Sequence, residues 1–170
     1  MFEDRTTPAV SRELRFFCDE MLRGLGRWLR AAGYDTVIAA GGLPDRVLAA
    51  RCAKEDRVLL TKDRHLAAIV TGTAPVLLLP GSSIDEAARA LGIAFDIDWQ
   101  HAPFTRCIVD NRPLDAAPPD LAMRVPESSR VAGGPLRVCP ECGRLYWPGS
   151  HVRRMQQRLA AWQRGAALSS

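Results

Sequence analysis

Three acids stand at matching points of the chain: Asp19, Asp45 and Asp63. Asp19 ends a short apolar run, Asp45 opens a helical pattern after a second run, and Asp63 ends a third. Parallel strands carrying these runs would bring the three to one rim of a sheet. Carboxylates that close repel one another, and a hard divalent cation relieves the repulsion. Mg2+ or Mn2+ held there can activate a water and stabilise the charge that develops on a phosphodiester. Glu20 lies next to Asp19, and Asp96 or Asp98 is available as a fourth carboxylate. Thr61 can donate a hydrogen bond that orients one of these acids. A plainer role stays open, because Asp45 and Asp63 also fit as helix caps.

Basic residues accompany the acids. Arg23, Arg27 and Arg30 recur at helical spacing and would form a strip leading away from Asp19, as phosphate contacts require. A solvated helix face explains that spacing nearly as well. Arg64 is placed to contact phosphate or to form a surface ion pair. His65 reads as a helix-surface residue, since a cation-activated water needs no histidine base. The formal net charge is only +4, but residues 137–170 carry six arginines and one acid, Glu141. Positive charge confined to one end suits a polyanionic partner. There Tyr146 and Trp147 can stack on bases while Arg144, Arg153 and Arg154 contact phosphates. The competing reading, favoured for Trp162, is that the tryptophans pack this end onto the main domain.

Five cysteines in a chain with no export signal argue against structural disulfides. Cys18 and Cys52 fall within apolar patterns and read as buried thiols. Cys139 and Cys142 form a C-x-x-C followed by Gly143, a strong zinc-knuckle pattern, and Cys107 lies in similar turn-rich sequence.

These residues need elements to position them. Residues 14–18 form an apolar run suited to a strand buried on both faces, and Met21, Leu22, Leu25, Trp28, Leu29 and Ala32 follow at helical spacing, stopped by Gly33. Strands are predicted over 34–38, 57–63 and 76–79, with helices over 45–54, 64–70 and 84–91, the last capped by Ser82 or Ser83. This β–α alternation predicts a parallel sheet flanked by helices with right-handed crossovers. Residues 93–99 alternate like an edge strand. Residues 112–136, rich in proline and glycine, read as a loop or linker, and Met155, Leu159 and Trp162 share one face of a final helix. The first thirteen residues read as a flexible lead-in. No apolar run reaches the roughly 20 residues of a membrane helix, so a soluble, cytoplasmic protein is expected.

Three segments, CDEMLRGLGRWLR at 18–30, LTKDR at 60–64 and CPECGRLYWPGSH at 139–151, together resemble the PIN-like ribonuclease domain of the Mut-seven C-terminal type. The resemblance spans about residues 14–156. It implies an α/β PIN-like fold with an appended zinc ribbon, and a metal-dependent ribonuclease in which Asp19, Asp45 and Asp63 match the acidic positions. The corresponding divisions are a nuclease domain at 12–100, a ribbon module at 101–156 and a helix end and tail at 157–170. The family pattern has cysteine where this chain has Asp110. Aspartate ligates zinc, although a carboxylate among thiolates is less common in structural sites. Three arrangements stay open: Cys107, Asp110, Cys139 and Cys142 together, His151 in place of Asp110, or no metal. The first is favoured.

The combined reading is a Mg2+- or Mn2+-dependent ribonuclease with a structural Zn2+ and a basic tail gripping single-stranded RNA. A non-catalytic RNA-binding or ribosome-associated module is the main alternative. A phosphoacceptor domain is a weaker one, lacking a lysine at a convincing strand end.

Overall fold

The structure is a computed structural model that describes residues 13–81 and 83–167. The expected lead-in, up to residue 12, and Ser82 as a cap lie outside them. The strand β1 is Phe16–Cys18, and the helix α1 is Arg23–Ala31, entered through a 3-10 turn at Glu20–Leu22. There follow β2 (Thr36–Ile38), α2 (Asp45–Glu55), β3 (Val58–Thr61), α3 (Arg64–Val70), β4 (Val76–Leu78) and α4 (Ile84–Phe95). The four strands pair in the order β2-β1-β3-β4, every pair parallel. This is the α/β sheet flanked by helices that the alternation predicts.

The pleat explains why the strands are apolar throughout. Side chains two apart share a face. Phe16 and Cys18 enter the larger core with Leu25 and Leu29 of α1 and Leu91 of α4. Phe17 points the other way, among Leu48 and Cys52 of α2 and Leu66 of α3. In β3, Val58 and Leu60 join the first core and Leu59 the second. Both sheet faces are covered, which a parallel sheet requires. Burying each phenylalanine stabilises the fold by about 1.5–3 kcal/mol.

The helices change faces because the chain reverses direction. From β1 it moves outward to β2, then returns past β1 to β3 and on to β4. Right-handed crossovers then put α1 on one face and α2 and α3 on the other. The switch point lies between β1 and β3, and the crevice outside the carboxyl ends of these strands is where ligands of open α/β sheets bind.

α4 starts with a capping box, Ser83 Oγ accepting the Glu86 amide and Glu86 reaching back to the Ser83 amide. The helix runs to Phe95, so the expected edge strand over 93–99 does not form. The alternation there is the helix's last turn followed by Ile97 and Trp99, both buried. Residues 112–136 also hold more structure than a linker. They carry β5 (Asp115–Ala116), a 3-10 stretch at Pro119–Arg124 and α5 (Glu127–Ala132). Here proline supplies N-caps and first-turn residues rather than breaks.

β5 joins β6 (Arg137–Val138) and β7 (Leu145–Tyr146) in a second, antiparallel sheet of three strands. α6 (Ser150–Ala167) then packs back on α4. Its Leu159 is fully buried, and Trp162 meets Trp28 and Trp99 at ring-centre distances of 5.0 and 4.8 Å. Trp162 is thus a packing residue, fixed further by its Nε1 donating to Asp85 at 2.7 Å. No helix among the described residues is long and apolar enough to cross a membrane.

Candidate functional site

Asp19 follows the last residue of β1, at the switch point, and is only 6% exposed. Its amide donates to Leu60 O of β3 at 3.1 Å, which carries the sheet pairing one residue beyond the strand. One carboxylate oxygen accepts the Leu22 amide at 3.1 Å and caps the 3-10 turn; the other accepts the hydroxyl of Thr61, itself fully buried. The orienting role expected of Thr61 is therefore realised on Asp19. That hydroxyl also accepts the Asp63 amide at 2.9 Å. Asp63 is exposed and caps α3, its Oδ1 accepting the amides of His65 and Leu66 at 2.7 and 3.2 Å. Asp45 is the first residue of α2, behind Pro44 at the N-cap, and is half-buried.

All three acids follow carboxyl ends of parallel strands and so share one rim. Among the described residues they do not form a ligand set as tight as the cysteine cluster below. Two of them are held by local structure, Asp19 by Thr61 and Asp63 by its helix. Glu20 is on this rim too, its carboxylate beside Gly41 in the loop after β2. Asp96 and Asp98 are not, which corrects their place as a fourth acid. α4 begins at the carboxyl rim and runs back across the sheet, so its far end meets Tyr34 ahead of β2, whose hydroxyl donates to Asp98 O at 3.1 Å.

The opposite, amino rim treats its carboxylate differently. Asp35 pairs with Arg57 at 2.9 Å and Arg15 at 3.0 Å and accepts Asn111 Nδ2 at 2.7 Å. Burial raises its carboxyl, but these hydrogen bonds and charges outweigh it and hold the group far below the usual carboxylate range. Among the described residues Asp19 has no such cationic partner. A buried carboxylate without one is costly, and cation coordination is a standard remedy. The donor set of the carboxyl rim, all hard oxygens, suits Mg2+ or Mn2+.

The second constellation is tighter. Cys107, Asp110, Cys139 and Cys142 bring one donor atom each to within 4.8 Å of one another, and could hold a metal such as zinc. Two knuckles with the same backbone pattern supply them. In the first, the Cys107 amide donates to Arg112 O at 2.7 Å and the Asn111 amide to Cys107 O at 3.0 Å; in the second, Cys139 donates to Arg144 O and Gly143 to Cys139 O, both at 2.9 Å. Asn111 and Gly143 occupy the same left-handed corner, with φ of 67° and 68°. Asp110 consequently stands where the second knuckle has Cys142. Its Oδ2 lies 3.5 Å from Cys107 Sγ and 3.4 Å from Cys139 Sγ, and Cys107 and Cys142 sulfurs are 4.0 Å apart. Tetrahedral zinc with bonds of about 2.3 Å would space its sulfurs by about 3.8 Å, so the set fits. A hydrogen bond from the Cys142 thiol, with weaker ones from Cys139 and Cys107, holds the Asp110 carboxyl low. His151 is exposed and lies outside the cluster.

The arginine strip divides. Arg23 and Arg27 are exposed, Arg23 within 3.7 Å of Glu20. Arg30 is 6% exposed and cannot grip nucleic acid, contrary to the strip reading. Its guanidinium donates to the carbonyls of Thr36, Ile108 and Val109 at 2.8, 3.2 and 2.5 Å. It thus clamps the first knuckle to β2. The i+7 spacing put Arg30 on the strip, but it ends α1 where the ribbon covers it. Asn111 completes the clamp, accepting the Thr36 amide at 3.0 Å. The repeat C-x-x-D-N-R and C-x-x-C-G-R was the signal for Asn111.

Tyr146, expected as a stacking residue, is buried with its hydroxyl 3.2 Å from Cys107 Sγ and 3.1 Å from the Ile108 amide. Trp147 is half-buried, while Arg64, Arg144, Arg153 and Arg154 are exposed. Arg64 and Lys62 line a depression of about 340 Å3 at the carboxyl ends of β3 and β4.

A doubly wound α/β domain with an acidic carboxyl rim, carrying a clustered Cys3Asp ribbon, defines the class. The chain belongs to the Mut7-C RNAse domain family, whose model matches residues 14–159. No curated protein and no solved structure matches it. The family suggests a ribonuclease and hence an RNA substrate.

Proposed function

We propose that the chain is a Mg2+- or Mn2+-dependent ribonuclease hydrolysing RNA phosphodiester bonds at the carboxyl rim of its sheet. Asp19, Asp45 and Asp63 would hold the cation. When bound, such a cation supplies Lewis-acid activation of water and stabilises charge on the phosphodiester. The observation that carries this reading is Asp19: a buried carboxylate at the switch point, with two hydrogen-bond donors and no cationic partner among the described residues. Thr61 fixes its orientation and, through the Asp63 amide, ties the two acids together. Arg23, Arg27 and Arg64 contact substrate phosphates and position the strand without reading its sequence.

Zn2+ held by Cys107, Asp110, Cys139 and Cys142 keeps the ribbon folded, since so small a sheet has little core of its own. Arg144, Trp147, Arg153 and Arg154 grip single-stranded RNA there. Reduced cysteines of this kind suit a cytoplasmic setting. The test is a labelled single-stranded RNA incubated with zinc-loaded protein, with and without Mn2+. Cleavage that needs Mn2+ supports the nuclease. The basic ribbon favours one second reading, a non-catalytic RNA-binding module; salt-sensitive binding with intact RNA in Mn2+ would select it.

A further inference from the structure

The ribbon and the start of α6 enclose a cavity of about 460 Å3 that none of the acids or metal ligands lines. Its walls are aromatic and apolar, with Phe104, Tyr146, Trp147 and Met155, while Arg144 and His151 border it. Two shallower depressions adjoin. One, about 450 Å3, shares Arg144, Leu145 and Trp147 and adds Arg124; the other, about 150 Å3, shares Tyr146 and Trp147 and adds Arg137. Trp147 therefore borders all three. Among the described residues no aspartate or glutamate lines any of them.

We infer that this cavity is a nucleobase pocket, in which one unstacked base of single-stranded RNA packs beside Trp147 while the flanking phosphates run past Arg144 and Arg124. The inference rests on the ribonuclease reading above and assigns that substrate a second point of contact. Three features favour this occupant. The volume suits a single nucleotide rather than a folded segment. The lining pairs apolar rings with arginine and no acid, the combination that takes a base and its phosphates. The first turn of α6, opening at Ser150 on the wall, offers backbone N–H groups to an anion.

The pocket is also preformed. A Cβ on Gly149 would come within 2.7 Å of Trp147 Nε1, so the indole is seated against a residue with no side chain. Tyr146 forms the floor through its bond to the Cys107 sulfur, which ties the pocket's shape to the metal knuckle. Arg23 and Arg27 stand exposed on α1, between the end that Arg30 clamps to the ribbon and the start of the helix behind Asp19. A strand anchored by one base at the ribbon would be led along α1 to Asp19.

The test measures binding of two fluorescent oligomers about ten nucleotides long, one of uridine and one an abasic ribose-phosphate chain of equal charge. The zinc-loaded full chain is used with Asp19→Asn to prevent cleavage. Ser129 of α5 also lines the cavity. Trp147→Ala and the pocket-filling Ser129→Trp should each weaken binding of the uridine oligomer by about tenfold. Both should leave the abasic oligomer nearly unchanged, and Trp147→Phe should retain most of the affinity. Equal binding of the uridine oligomer by the parent and Ser129→Trp overturns the pocket, as does an equal loss for both oligomers. If the unmutated chain still cleaves RNA with Mn2+ in those cases, only the pocket falls. If it neither binds nor cleaves, the ribonuclease reading falls with it.

Discussion

The Thr61 hydroxyl donates to the Asp19 carboxylate across the joint between β3 and β1, and its oxygen accepts the Asp63 amide 2.9 Å away. One buried side chain thus orients the acid ending the first strand and the turn carrying the next. Thr61→Val keeps the shape and removes both bonds. Its expected effect is a loss of about 1–3 kcal/mol where a buried polar partner goes unsatisfied, and a fall in RNA cleavage of about tenfold or more. Thr61→Ser should retain most activity. Cleavage rates of the two variants, with melting curves beside them, check this.

Arg30 should matter to folding and not to RNA. Its guanidinium satisfies three carbonyls from two parts of the chain. Arg30→Met leaves these buried acceptors without a donor and should cost about 2–4 kcal/mol in urea unfolding. Arg30→Lys should recover only part, because an ammonium cannot reproduce the planar fork. Arg27→Ala, on the exposed face, should do the reverse: little change in stability, weaker and less salt-sensitive RNA binding.

Much of the fold was legible from the chain itself. Residues 14–18 and 57–61 read as strands buried on both faces because Phe16–Cys18 and Val58–Leu60 are apolar at every position, and the helices between them left only a parallel sheet. Asp19 and Asp63 were legible for the same reason, since the ends of such strands share a rim. Arg30 was misread because helical spacing gives a face and not what covers it. The ribbon that buries Arg30 lies almost eighty residues on, in a contact that no local pattern encodes. The run at 93–99 failed differently. Ile93 and Phe95 belong to the last turn of α4, and a short alternating stretch cannot distinguish that from a strand.

The Asp110 position makes a prediction about the metal. Because Asp110 and Cys142 occupy the same place in matching knuckles, Asp110→Cys should give a four-thiolate site without moving the backbone. Zinc should then be released more slowly to a chelator, while Cys139→Ala should lose it and unfold the ribbon. Colorimetric zinc release, followed together with circular dichroism, measures both.

Acid should loosen the sheet's amino rim. Asp35 is held below the ordinary carboxylate range by Arg57, Asn111 and Arg15 against the opposing effect of its burial. A carboxyl depressed in the folded state stabilises fully above its unfolded pKa of about 3.9, and that contribution is lost as pH falls below it towards the folded value. Unfolding free energy should therefore drop as pH decreases below about 4. In Asp35→Asn this part of the pH dependence should disappear, at lower stability near neutral pH. Urea titrations across that range decide it.

Asp19→Asn bears most directly on the claim that the carboxyl rim is catalytic. The amide keeps the size of the side chain and an acceptor for Leu22, and removes the charge that would hold a cation. Metal-dependent cleavage of single-stranded RNA should fall by about a thousandfold or more, a loss of about 4 kcal/mol or more in transition-state stabilisation, while melting temperature and RNA affinity stay close to the parent's. A folded Asp19→Asn protein that still cleaves RNA at the parent's rate in Mn2+ would contradict the acid site and leave Asp19 a residue of structure alone.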